Sequence, residues 1–116
     1  MALLRLLNKK TTFCLMLLYN TTYTLEADVE RNFLIWIKEC YIPQVIEDGK
    51  LHAPRLMKIL SHGENGALSY SLQFEVKDSF TLHAWHLSKG RFLNEELLKV
   101  FKDKIIGFPT LMEILD

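Results

Sequence analysis

The sequence predicts a small α+β domain: a four-stranded antiparallel sheet carrying two helical segments on one face, in the order βαββαβ. Three observations carry that prediction. Residues 68–77 alternate apolar and polar side chains with the two-residue period of a half-buried strand. Val29, Phe33, Trp36, Ile37 and Cys40 follow the spacing of one helical stripe. Between two strand-like stretches lies the cluster SHGENG at 61–66, where Asn65-Gly66 supplies positive φ for a hairpin turn.

The first strand spans residues 16–25, MLLYNTTYTL, rich in the β-branched and aromatic types that suit a pleated surface. Alternation places Leu17, Tyr19, Thr21, Tyr23 and Leu25 on the core face, opposite Leu18, Asn20, Thr22 and Thr24. The first helix opens near Asp28, a cap or first-turn acid, and Pro43 is expected to end or kink it before Asp48-Gly49 closes the segment. Residues 53–62 form a second strand of mixed pattern. In the third, Leu68, Tyr70, Leu72, Phe74 and Val76 face the core, while Ser69, Ser71, Gln73, Glu75 and Lys77 face away. Asp78 and Ser79 cap a helix expected to run to about Ser88 and break at Gly90. A further helical stretch puts Leu93, Leu97, Val100 and Phe101 on one stripe. The last strand, 105–115, places Ile106, Phe108, Met112 and Ile114 on one face. Pro109 cannot donate to a ladder, so this strand belongs at an edge.

A chain of 116 residues, 49% hydrophobic and 24% charged, has the size and composition of one globular domain. Lys+Arg and Asp+Glu balance at 14 each, so no net field attracts nucleic acid or an anionic membrane. Cys14 and Cys40 lack the spacing of a disulfide scaffold or a zinc site and read as reduced core thiols. Residues 1–15 read as an extension ahead of a single domain at 16–116. Their apolar runs are too short to span a membrane, and the segment makes a poor signal peptide. The expectation is therefore a cytoplasmic protein.

The candidate chemistry is sparse. His83 and His86 stand at i, i+3 with no acidic partner nearby, which is too little for a metal, and no cofactor is implied. Trp36 belongs to the core stripe. Trp85 lies with Leu82 on the side of its helix away from Phe80, Ala84 and Leu87; a helix apolar nearly all round calls for cover by the next segment or by a second subunit. No phosphate-binding, nucleophile-elbow or zinc-protease motif occurs. The informative region is the sheet face opposite the helices. If the first and third strands pair centrally, Asn20, Thr22, Thr24, Ser69, Ser71, Gln73 and Glu75 gather there. They would form either a solvated face or a polar cavity closed by a second subunit.

Tyr19-Asn20, Trp36 followed by Ile42-Pro43, Ser69-Tyr70-Ser71-Leu72-Gln73 and the run from Phe101-Lys102-Asp103-Lys104 to Phe108 together resemble a family of small bacterial proteins known as a domain of unknown function. The likeness extends from about residue 16 to the end and rests on the ordered set of motifs. It implies a ferredoxin-like fold of the dimeric α/β-barrel type, in which two sheets associate face to face. Where the family usually carries a His before the Ile-Pro, this chain has Tyr41; where it carries an Arg before the last strand's Thr, it has Pro109. Both departures weaken a catalytic reading. The expectation is thus a non-enzymatic homodimer binding a small ligand or a protein partner, with Asn20, Thr22, Tyr41, Ser71 and Gln73 as candidate ligand contacts. The alternative is an enzyme of the cofactor-independent monooxygenase or isomerase type.

Overall fold

The computed structural model describes residues 16–60 and 66–115. Its strands are β1 (Leu17–Leu25), β2 (Leu51–Ile59), β3 (Leu68–Val76) and β4 (Ile105–Glu113), all in one antiparallel sheet of order β2-β3-β1-β4. The central pair runs from Leu17↔Val76 to Leu25↔Leu68, and β4 adds to the other side of β1 from Leu17↔Glu113 to Leu25↔Ile105. Pro109 therefore sits on an edge strand, as its missing N–H requires. The predicted Asn65-Gly66 turn lies outside the described residues except for Gly66, whose φ is +71°. The strands it joins do pair, with Ile59 opposite Ser69.

The second strand begins two residues earlier than expected, at the fully buried Leu51. Its mixed pattern comes from a bulge between His52 and Arg55, where Ala53 takes φ +53° beside Pro54. Bulging shifts the side-chain alternation midway, which is why no single period fits the segment.

Both helical segments depart from the sequence expectation in the same manner. The first consists of a 3-10 turn (Ala27–Val29), α1 (Glu30–Trp36), a π turn (Ile37–Tyr41) and α2 (Ile42–Ile46). In the π turn the Ile42 N–H bonds to the Ile37 carbonyl, one residue farther than in an α-helix. Pro43 would orphan the Glu39 carbonyl in an unbroken α-helix. Here the segment continues through it instead of ending. The inserted residue also moves the stripe by one position. Cys40, expected in the core, is an exposed free thiol, and Tyr41 is buried in its place. Asp28 makes no capping bond; it pairs with Lys104 across the connection to β4.

The second segment contains α3 (Ser79–Trp85), a π turn (His86–Gly90) and α4 (Arg91–Phe101). Asp78 caps α3 by accepting from the Thr81 N–H at 2.8 Å. Gly90 does not break the segment: its backbone is helical, and the Arg91 N–H bonds to the His86 carbonyl. Its lack of a side chain serves packing instead. A Cβ at Gly90 would stand 2.7 Å from Cζ3 of Trp85.

The two helical segments cover one face of the sheet. Tyr23, Leu25, Tyr70, Leu72, Phe74 and Val76 rise from the strands to meet Phe33, Ile37, Val45, Leu93, Leu97 and Phe101. Phe33 is the hub: its ring packs against Tyr23 at 5.3 Å, Tyr70 at 5.5 Å and Phe101 at 6.1 Å. Of the apolar residues on α3 and its π turn, Trp85 is buried, beside Tyr19 of β1 and against Gly90, while Phe80 and Leu87 stay exposed.

Candidate functional site

The structure divides the five sequence-predicted contacts between two sides of the sheet. Strand alternation places Asn20 and Thr22 of β1 beside Gln73 and Ser71 of β3 on the open face, as exact cross-strand partners. There the Ser71 hydroxyl donates to Asn20 Oδ1 at 2.5 Å, Asn20 Nδ2 donates to Thr22 Oγ1 at 3.1 Å, and Gln73 Nε2 reaches Ser71 Oγ at 3.5 Å. Thr24 and Ser69 share a hydroxyl contact at 3.3 Å one pair farther along. Asn20 is only 7% exposed, although no helix covers it. The cluster thus bonds within itself and leaves further donors and acceptors on Gln73, Asn20 and Thr22.

Apolar side chains flank this polar centre. β4 contributes Ile106, Phe108 and Met112, opposite Thr24, Thr22 and Leu18 respectively. Ile106 and Phe108 are 65% and 70% exposed. On the other side Met57 stands opposite Ser71.

Tyr41 lies on the far side of the sheet, in the π turn of the first helical segment, so it shares no cavity with Asn20, Ser71 or Gln73. It helps enclose a cavity of about 270 Å³ between the layers. β1 supplies the floor with Tyr19, Thr21 and Tyr23; the second helical segment supplies Trp85, His86 and Asn94. The opening arises where atoms are few. Gly107 and Pro109 are the β4 residues that face it, and Gly90 faces it from the second π turn. A Cβ at Gly107 would meet the Tyr23 ring at 3.2 Å. A neighbouring hollow of about 400 Å³ continues past Tyr19 and Trp85 toward Leu82 and Leu111.

The walls of the cavity are largely aromatic and hold no Lys, Arg, Asp or Glu, with His86 the one imidazole among them. Tyr19 meets Trp85 edge-on at 6.2 Å, and Tyr41 leans on Trp36 at 5.3 Å. Burial, foremost, pushes the Tyr23 hydroxyl up to about 12, and burial also drives Tyr41 well above the usual tyrosine range. Both are therefore neutral donors and acceptors near neutral pH. The Trp85 indole N–H is buried without a partner among the described residues. No group of three or more His, Cys, Asp or Glu capable of holding a metal occurs among the described residues.

At the β2 end of the helix-covered face, the Tyr70 hydroxyl donates to Glu30 at 2.5 Å, and Lys58 joins the same carboxylate at 3.1 Å. The Tyr70 bond, then Lys58, holds Glu30 below the usual carboxylate range.

The sequence pointed to Tyr41 and the open-face cluster, placed Tyr19 and Tyr23 in the core, and left Trp85 on a helix calling for cover by the next segment or a second subunit. One signal was available. Tyr19, Thr21 and Tyr23 bring three hydroxyls to the buried side of a single strand, more than an apolar core can satisfy. Asn94 and His86 carried no such signal, because their place depends on the phase of the second π turn.

Comparison with known proteins agrees with this architecture. No curated protein matches the sequence. Among solved structures, a dimeric ferredoxin-like protein from an uncultured marine organism superposes with a TM-score of 0.65 at 12% identity, covering 88% of this chain and 97% of its own. An EthD-like protein from Ralstonia eutropha gives 0.66 at 12% identity over 90% and 96% of the two chains. A protein provisionally described as an antibiotic biosynthesis monooxygenase, from Bordetella bronchiseptica, gives 0.63 at 12% identity over 88% and 97%. These likenesses establish a ferredoxin-like α+β fold. No helix among the described residues is long and apolar enough to cross a membrane. Residues 16–115 match the family described as domain of unknown function DUF4286, and the chain belongs to that family.

Proposed function

We propose that the protein is a homodimeric binding domain and not an enzyme, two copies stacking their open sheet faces and each holding a small ligand between sheet and helices. The observation that carries the dimer is the pattern of the open face. Ile106 and Phe108, largely exposed, border a polar cluster whose members are already bonded to one another. Apolar side chains at a strand edge gain from burial at roughly 25 cal/mol per Å², and the donors and acceptors left over on Gln73, Asn20 and Thr22 can pair with the same groups of a second copy. On this reading Asn20, Thr22, Ser71 and Gln73 set the register of two sheets, and Tyr41 is the predicted contact that faces a ligand. The dimeric description of the marine ferredoxin-like protein supports a two-copy state.

The preference for binding over catalysis rests on the cavity walls, where Tyr23 and Tyr41 are held neutral, no carboxylate or ammonium appears, and the His86 imidazole has no carboxylate beside it in the lining. The alternative, an enzyme of the monooxygenase type, draws on the description of the Bordetella protein. Oxygen uptake above blank on adding an aromatic alcohol would favour it. We also read the chain as cytoplasmic: the exposed Cys40 is unpaired among the described residues, and exposed thiols persist in reducing compartments.

Light scattering across a concentration series tests the dimer. The expected result is a dimer that Phe108→Asp converts to a monomer with an unchanged circular dichroism spectrum. A wild-type chain that stays monomeric at several hundred micromolar would overturn the reading.

A further inference from the structure

From the cavity walls we infer the class of ligand: an uncharged, flat, ring-containing small molecule carrying one hydroxyl or carbonyl oxygen. This inference rests on the binding half of the proposal above and is independent of the dimer. Three features of the cavity carry it.

The first is shape. The aromatic faces of Tyr19, Tyr23, Tyr41 and Trp85 come from both layers, so a thin ligand can contact rings on either side. Offset and edge-on aromatic contacts add to ordinary burial. The missing side chains at Gly90 and Gly107 keep the space open. A Cβ at Gly90 would clash with Trp85 at 2.7 Å, and one at Gly107 would press on the Tyr23 ring at 3.2 Å. The volume of about 270 Å³ falls just below the range of roughly 300–1,000 Å³ usual for small-molecule pockets. That size suits about two fused rings.

The second is charge. None of the residues lining the cavity is Lys, Arg, Asp or Glu. A cationic ligand entering it would lose hydration and gain no counter-charge, and an anionic one would find only the His86 imidazole, a cost that burial of its apolar surface cannot offset. The chain has 28 charged residues by its own composition, 14 of each sign, so their exclusion from this wall discriminates among ligands.

The third is the kind of polar group present. The hydroxyls of Thr21, Tyr23 and Tyr41 and the carboxamide of Asn94 can both donate and accept. They suit one neutral oxygen on the ligand, whether hydroxyl or carbonyl.

The test is calorimetric titration of the full chain with 2-naphthol, with its charged relative 2-naphthalenesulfonate and with naphthalene. The expected result is saturable binding of 2-naphthol at one per chain, with the sulfonate at least tenfold weaker. Asn94→Trp, an exposed helix position at the cavity wall, should abolish binding while leaving the melting temperature and the oligomeric state unchanged. Tyr41→Phe keeps the ring and removes one hydroxyl. It should weaken 2-naphthol roughly two- to tenfold and leave naphthalene unaffected. Absence of saturable heat with 2-naphthol, equal affinity for the sulfonate, or full binding by a folded Asn94→Trp variant would each overturn the inference. Light scattering on the same samples separates the two ideas. A monomer that binds 2-naphthol keeps the ligand class and removes the dimer; a dimer that binds none of the three probes does the reverse.

Discussion

The two faces of this sheet use the same strands for opposite ends. On the helix-covered face, β1 and β3 present Tyr23, Leu25, Tyr70, Leu72, Phe74 and Val76, nearly all ring or branched carbon, and two helical segments close over them. On the open face the same strands present Asn20, Thr22, Ser71 and Gln73, which bond laterally to one another. The covered face is apolar yet contains the cavity; the open face is polar at its centre yet contains the exposed Phe108. Side-chain chemistry alone therefore does not say which face meets a ligand. Geometry separates them: the covered face has its cavity between sheet and helices, while the open face is left bare for another copy under the reading proposed above.

The sharpest contrast between the faces is expected in the core. Phe33→Ala removes the ring that touches Tyr23, Tyr70 and Phe101 and should cost about 3–5 kcal/mol in urea denaturation. Phe108→Ala on the bare face should change the stability of the isolated chain by less than about 0.5 kcal/mol and weaken association instead. Comparable losses from both would erase the distinction.

High pH should also act on one face. Tyr23 is neutral in the fold up to about 12, whereas an unfolded tyrosine ionises near 10. A folded-state value raised above the unfolded one gives stability that is complete below pH ~10 and is lost as pH rises through ~12. The Tyr23 contribution is about 3 kcal/mol, with Tyr41 acting in the same sense. Urea midpoints should fall across this window, and Tyr23→Phe should flatten the fall. The Ser and Thr hydroxyls of the open face have nothing to titrate there.

Smaller effects refine the comparison. Gly90→Ala forces a methyl against Trp85 and should cost roughly 1–3 kcal/mol, detectable as a lowered melting temperature. Asn20→Ala deprives the Ser71 hydroxyl of its acceptor and should cost about 1 kcal/mol. Its effect on dimerisation should exceed its effect on folding, a difference readable by light scattering beside denaturation.

Much of the sheet was legible in the sequence because a strand period of two survives wherever no residue is inserted. β1 and β3 show it without interruption, so the central pairing and the gathering of Asn20, Thr22, Ser71 and Gln73 followed directly. The helices were legible only to their π turns. Each inserts one residue that ordinary helical spacing does not anticipate, so Cys40 and Tyr41 exchanged roles and Gly90 read as a breaker. The bulge at Ala53 hid the start of β2 for the same reason. The cavity was the least legible part. It depends on atoms missing at Gly90, Gly107 and Pro109, brought together from segments that no local pattern connects.

The two prolines of the outer strands have a consequence for how copies of this chain avoid one another. Pro54 lies in the bulge of β2 and Pro109 in the middle of β4, so each edge of the sheet is interrupted by a residue with no N–H to offer an incoming strand. Continuous sheet extension from one molecule to the next, the route to fibrils and disordered aggregates, is thereby blocked along both rims. A chain with this much exposed apolar surface stays safe in a crowded cell only if its contacts are self-limiting. Stacking face to face saturates at two copies, whereas strand addition does not.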